Sequence, residues 1–106
     1  MSDHYYSASP QSEHRYAACD FEYRGAFLRF TTDAGVFSRG EVDFGTRVLL
    51  GALPDEMTGD VLDLGCGWGA IGVTVGKKYP DCRVTMCDVN ERAAELARKN
   101  AGENGV

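Results

Sequence analysis

The strongest constraint on this chain is the run Val61-Leu62-Asp63-Leu64-Gly65-Cys66-Gly67-Trp68-Gly69-Ala70-Ile71-Gly72, followed by the acidic residue Asp88 at the end of the next β-like segment. An apolar run that breaks into glycines and resumes with helical spacing reads as strand, tight loop and helix. A second strand ending in a carboxylate completes half of a nucleotide-binding α/β unit. Strands joined through a helix in this way are expected to be parallel, with a right-handed crossover. The expected fold class is therefore α/β and Rossmann-like, with a cofactor-binding βαβα unit over residues 60–106.

Flanking patterns extend the reading. Helix two carries Ile71 and Val75 four apart, and Lys77 and Lys78 precede Pro80, a suitable cationic end and stop. Arg83 to Cys87 reads as the second strand. Asn90 caps a third helix that places Ala93, Leu96, Ala97 and Asn100 or Ala101 on one face, with Asn104-Gly105 closing it. Upstream, residues 20–31 alternate apolar and polar side chains around Gly25, which predicts a β-hairpin of undetermined turn type. Its inner face is expected to hold Phe21 and Tyr23 on one strand and Ala26, Leu28 and Phe30 on the other. Asp43 can cap a helix from Phe44 to about Leu53, with Phe44, Val48 and Leu49 on its apolar face and Pro54 ending it. Residues 1–18 show no sustained period and read as an extended arm; a lid carrying His4, Tyr5 and Tyr6 is the alternative.

Composition narrows the class. With 106 residues, 43% hydrophobic and 25% charged, the chain suits one small domain or part of one. No apolar window approaches a membrane span and the first residues lack a signal-peptide pattern, so a cytoplasmic protein is expected, with no membrane partner. A formal net charge of −5 opposes nonspecific nucleic-acid binding by phosphate neutralisation, without excluding RNA as a substrate. The arginines that precede the loop read as solvated, with a local positive face as the alternative. Cys19, Cys66, Cys82 and Cys87 show neither Cys-x-x-Cys pairing nor histidines at metal-ligand spacing, so reduced thiols and no metal are expected.

The loop itself points to a ligand. Gly65, Gly67 and Gly69 let backbone N–H groups approach one closely, but Gly65-x-Gly67-x-x-Ala70 also satisfies the loose dinucleotide pattern. Asp63 alternates to the same side of the strand end as Gly65, where it can hold the loop backbone or meet an ammonium group. It would repel a pyrophosphate, whereas S-adenosylmethionine carries an amino acid moiety and a sulfonium with no phosphate. Asp88 can accept both ribose hydroxyls; a loop-capping aspartate is the competing reading.

At these residues the chain resembles the class I S-adenosylmethionine-dependent methyltransferases, with Val61 to Gly69 as their first motif and Asp88 as their acidic second motif. His4-Tyr5-Tyr6-Ser7, Gly35-Val36-Phe37-Ser38 and Asp43-Phe44-Gly45-Thr46-Arg47-Val48-Leu49-Leu50 narrow the resemblance to the small-domain methyltransferases related to the small-subunit ribosomal RNA guanine exocyclic-amine enzymes. The resemblance implies the N-terminal half of that fold, preceded by the hairpin and arm, with S-adenosylmethionine as cofactor. Gly65, Cys66 and Gly67 would line its methionine end, Asp88 would hold the ribose, and Val89 would pack near the adenine. Phe37, Ser38, Gly45 and Thr46 would close over it from the N-terminal side; a packed loop and a first-turn helix residue are the plain alternatives for Phe37 and Thr46.

The family's Asn-Pro-Pro-aromatic motif, which orients the target amine, does not occur, since Pro10, Pro54 and Pro80 each stand alone. The chain is thus expected to be the N-terminal part of a longer enzyme, inactive alone, and no residue in it is assigned a catalytic role. Ribosomal RNA or a ribosomal subunit is the expected substrate, and self-association of an incomplete sheet is a further expectation. The competing classes are a noncatalytic S-adenosylmethionine-binding or interaction module and an NAD-dependent oxidoreductase fragment.

Overall fold

A computed structural model of the chain describes residues 14–34 and 41–106. Seven elements follow in order: β1 (Tyr16–Tyr23), β2 (Ala26–Asp33), α1 (Phe44–Gly51), β3 (Gly59–Leu64), α2 (Ala70–Lys78), β4 (Cys82–Cys87) and α3 (Glu91–Glu103). β3 and β4 pair in parallel, with Leu64 opposite Cys87 at their carboxyl ends, as two strands bridged by a helix must. Val61, Val84 and Met86 pack on the helix-covered side, together with Val73, Val75, Ala93 and Leu96. On the other side Leu62 and Leu64 are exposed.

β1 and β2 form an antiparallel hairpin in continuous register from Tyr16–Asp33 to Tyr23–Ala26. It starts at Tyr16, inside the stretch assigned to the arm, because Tyr16, Ala17 and Ala18 find backbone partners in Asp33, Thr32 and Thr31. Its two-residue turn has positive φ at both Arg24 (50°) and Gly25 (90°), the combination whose twist matches that of paired strands. Left-handed backbone is costly for arginine, and the tertiary contacts hold it. Arg24 donates to the carbonyls of Pro54 and Gly51 and to the Tyr79 hydroxyl, while Lys78 Nζ donates to the Arg24 carbonyl.

α1 corrects one expectation. Asp43 caps it through the Thr46 N–H at 2.8 Å, but the helix ends at Gly51, and Phe44, Val48 and Leu49 face outward, Phe44 with 81% of its surface exposed. Leu50 is the residue of α1 that enters the core, and Leu53 packs beside it from beyond the helix end. That side meets α2 and the buried cluster, and Tyr23 of the hairpin reaches the Leu50 carbonyl at 2.7 Å.

α3 buries Ala93, Leu96, Ala97 and Asn100, the face its spacing predicts. Its end is a Schellman arrangement, with the Val106 N–H on the Ala101 carbonyl, the Gly105 N–H on the Gly102 carbonyl, and Gly105 at φ 73°. One turn apart on its inner face, Asn100 and Asn104 act as a substitute strand for β2. The Asn100 carboxamide pairs with both the N–H and the carbonyl of Thr31 (2.8 and 2.9 Å), and that of Asn104 with both groups of Arg29 (3.0 Å each). Alternate residues of a strand present their backbone groups to the same edge, so an i, i+4 pair of amides satisfies β2 on the edge where, among the described residues, no strand lies beside it. Among the described residues, no helix is long and apolar enough to cross a membrane.

Candidate functional site

The site lies at the carboxyl ends of β3 and β4. When β3 ends at Leu64, the N–H groups of Gly65 and Cys66 both turn to the Cys87 carbonyl, at 2.8 and 3.0 Å, binding the loop to the end of β4. The Gly69 N–H then closes on the Cys66 carbonyl and α2 begins. Gly65 and Gly67 have φ of 72° and 58°, and a Cβ at either would meet nothing within 4 Å. The glycines are therefore required by backbone conformation, and the space above them is open to a ligand.

Asp88 fastens the loop. Its Oδ2 accepts from the Gly67 N–H and its Oδ1 from the Asn90 N–H, both at 2.9 Å. A carboxylate offers about four acceptor positions, so each oxygen keeps capacity for a hydroxyl. The loop-fastening and ribose-holding roles are therefore compatible. Val89, next in the chain, is 92% exposed and offers an apolar flank beside the carboxylate.

Asp63 lies beneath the loop and accepts from the Gly72 N–H at 2.9 Å. Burial raises its pKa; the Gly72 hydrogen bond opposes the shift and Asp88 reinforces it. Its position has a direct chemical consequence. A dinucleotide pyrophosphate is received at the N-terminus of the helix after the glycine loop, and here a carboxylate already takes an N–H from that first turn. Gly72 makes the contact possible, because a Cβ there would stand 2.5 Å from Met86 Cγ and 3.0 Å from Asp63 Oδ2. Sequence reasoning missed Gly72, although a glycine in the first turn of a helix is itself a signal of close approach.

Cys66 is buried, with Sγ 3.4 Å from the Gly67 carbonyl. Burial, then Asp63 and Asp88, push its thiol up to about 11, so it remains a neutral, poorly nucleophilic group at neutral pH. The same two carboxylates make the loop a negative environment that favours a cationic ligand group.

Of the candidate residues, Gly65, Cys66, Gly67 and Asp88 meet in one hydrogen-bonded cluster, Asp63 supports it from below, and Val89 borders it. Gly45 and Thr46 stand in the first turn of α1, where the Thr46 N–H is taken by Asp43. Among the described residues, no hydrogen bond joins Thr46 to the glycine loop. Phe37 and Ser38, like His4, Tyr5 and Tyr6, lie outside the described residues. Asn100 was visible in the sequence only as a member of a buried face. Structurally it reaches the loop, donating to the Trp68 carbonyl at 2.7 Å.

Comparison with known proteins agrees with this geometry. The family model described as methyltransferase small domain matches residues 27–106. The uncharacterized protein YbxB of Bacillus subtilis is 44% identical over 107 residues, covering 100% of this chain and 53% of that protein. The ribosomal RNA small subunit methyltransferase C of Haemophilus influenzae (strain PittEE) is 47% identical over 70 residues, 66% of this chain and 21% of that enzyme. Among solved structures, the 16S rRNA N2 G1207 methyltransferase of T. Thermophilus, in complex with AdoMet and guanosine, superposes with a TM-score of 0.78 at 27% identity, over 92% of this chain and 27% of that one. The chain thus spans about half the length of the first of these relatives and about a fifth of the second.

Proposed function

Because the chain belongs to the methyltransferase small domain family, we propose that it forms the S-adenosylmethionine-binding part of an enzyme that methylates a guanine exocyclic amine in ribosomal RNA. The observation that carries the cofactor choice is the Asp63 carboxylate on the Gly72 N–H, at the place a pyrophosphate would need.

The residues present fit the cofactor. Open space above Gly65 and Gly67 admits the methionine end, and the nearby Asp63 and Asp88 charges suit its ammonium and sulfonium. Asp88 would accept the ribose hydroxyls with the capacity left after its two backbone bonds, and Val89 would flank the adenine. Bound S-adenosylmethionine supplies an electrophilic methyl group on sulfur. The loop's part would be positioning: Gly65, Cys66, Gly67 and Asp88 would hold the cofactor in one orientation.

Calorimetry on the chain tests the cofactor. S-adenosylhomocysteine is expected to bind and NAD not to; tighter binding of NAD overturns the reading. Substrate class is tested in the full-length protein with radiolabelled S-adenosylmethionine and small ribosomal subunits, using Gly65→Arg as the inactive control. Label in guanine of the RNA, above that control, is the expected result. Label confined to protein would move the proposal to another methyl acceptor.

A further inference from the structure

We propose that Asn100 is a positioning residue for the cofactor loop, through which the β1–β2 hairpin sets the loop's shape. The role rests on the cofactor reading above. The Asn100 side chain is fully buried and spends both of its amide hydrogens, on the carbonyls of Thr31 and Trp68, while its oxygen accepts the Thr31 N–H. Turning the amide over would set its oxygen against two carbonyl oxygens, so its orientation is determined by its surroundings.

The loop has three kinds of anchor. The Cys87 carbonyl holds the N–H groups of Gly65 and Cys66, and Asp88 holds that of Gly67. Both belong to β4 and its end. The third, on the Trp68 carbonyl, comes from α3 and leads to the hairpin, and it ties that carbonyl to a buried amide. A second contact runs in parallel, since the Trp68 indole packs on Phe30 of β2, 4.9 Å between ring centroids and tilted by 58°. The hairpin therefore grips one loop residue twice, by its ring and by its backbone.

Asn104 supplies the internal control. It pairs with Arg29 as Asn100 pairs with Thr31, but its remaining contact is the Asn100 carbonyl, within α3. Loss of Asn104 weakens the hold on β2 and leaves the loop anchor in place. Loss of Asn100 removes both. Trp68 is the only tryptophan in the sequence, so its fluorescence reports the loop directly.

In the full-length protein carrying no other tryptophan, or with any others replaced by phenylalanine, Asn100→Ala and Asn104→Ala are compared at a temperature where circular dichroism shows each folded. Both are expected to melt earlier than the parent. Asn100→Ala should weaken S-adenosylhomocysteine binding about tenfold and shift Trp68 emission, while Asn104→Ala stays within about twofold with unshifted emission. Equal effects of the two variants on affinity, or none from Asn100→Ala, overturn the proposal. If Asn100→Ala does not fold, Asn100→Asp serves instead. A carboxyl facing the Trp68 and Thr31 carbonyls can donate only when protonated, so its affinity, relative to the parent, should recover as pH falls from about 8 to about 5. A ratio that does not change with pH overturns the proposal as well. A parent protein that fails to bind S-adenosylhomocysteine removes the cofactor reading and this role with it. That result is distinct from failure of Asn100 alone, in which parent and variant bind alike.

Discussion

The two ends of the parallel strand pair use polar contacts to opposite purposes. At the carboxyl end, Asp88 and the Cys87 carbonyl hold the loop's N–H groups, Asp63 holds one in the first turn of α2, and the space above Gly65 and Gly67 stays open. At the far end, Tyr23, Tyr79 and Arg24 close on the last carbonyls of α1 and the segment after it. Tyr23 takes Leu50, Arg24 takes Gly51, and Tyr79 reaches Pro54 at 2.6 Å, with the two tyrosine hydroxyls 3.0 Å apart. Carbonyls at and beyond a helix end lack the full intrahelical ladder, and side chains from the hairpin and from the end of α2 bond them here. One end keeps an open side and the other is closed; the difference lies in whether the polar network leaves a vacant side.

Breaking each end should therefore disturb a different property. The largest effect is expected from Asp88→Ala, which removes the proposed ribose acceptor and the fastening of Gly67 together. Cofactor affinity should fall by about 1.5–3 kcal/mol, the scale of hydrogen bonds to a charged group, measured by calorimetry with S-adenosylhomocysteine. Tyr79→Phe should do the converse. It removes a buried hydroxyl bonded to Pro54, Tyr23 and Arg24, and should lower stability by about 1–3 kcal/mol in urea unfolding with affinity unchanged. A loss of affinity comparable to that of Asp88→Ala would show that the two ends are not separable.

Acidity addresses the ends one at a time. Burial, then the hydrogen bond and charge of Tyr79, push the Tyr23 phenol up to about 12, from an ordinary value of 10. Between those values the folded chain holds a proton that the unfolded chain has released, so stability is complete below pH 10 and is lost as pH rises towards about 12. Tyr23→Phe should abolish that alkaline slope. Asp63 is raised by burial above its ordinary 3.8, so its contribution is likewise present below 3.8 and lost as pH climbs through the raised value. Asp63→Asn, whose amide oxygen can still accept the Gly72 N–H, should flatten that acid-range slope. This is the smallest of the four effects, read from urea midpoints across the acid range. An unaltered slope would show that another carboxylate carries it.

Much of the open end was legible in advance because its requirements are local. A strand followed by glycines, a helix and a second strand ending in Asp88 can be recognised from residue types and spacing, since positive φ demands glycine and a parallel pair demands a bridging helix. The closed end was not legible, because its bonds join residues 25 to 56 positions apart. The same reason explains α1. Its apolar spacing pointed to Phe44, Val48 and Leu49, but a helix with apolar residues on several sides has no single answer until something packs against it, and packing on α2 buries the side that carries Leu50.

What the sequence determined alone, then, was the order of elements, the caps at Asp43 and Asn90, the inward face of α3 and the acidic glycine loop, each set by backbone geometry or a short-range pattern. Tertiary structure decided which face of α1 is buried, how an arginine holds a left-handed turn, why Gly72 must lack a side chain beside Met86 and Asp63, and that Asn100 joins the hairpin to the loop. The division follows from the range of the forces. Steric and hydrogen-bond preferences within a few residues are written in the local sequence, whereas the satisfaction of buried polar groups depends on which distant atoms arrive, and only the packed chain brings them together.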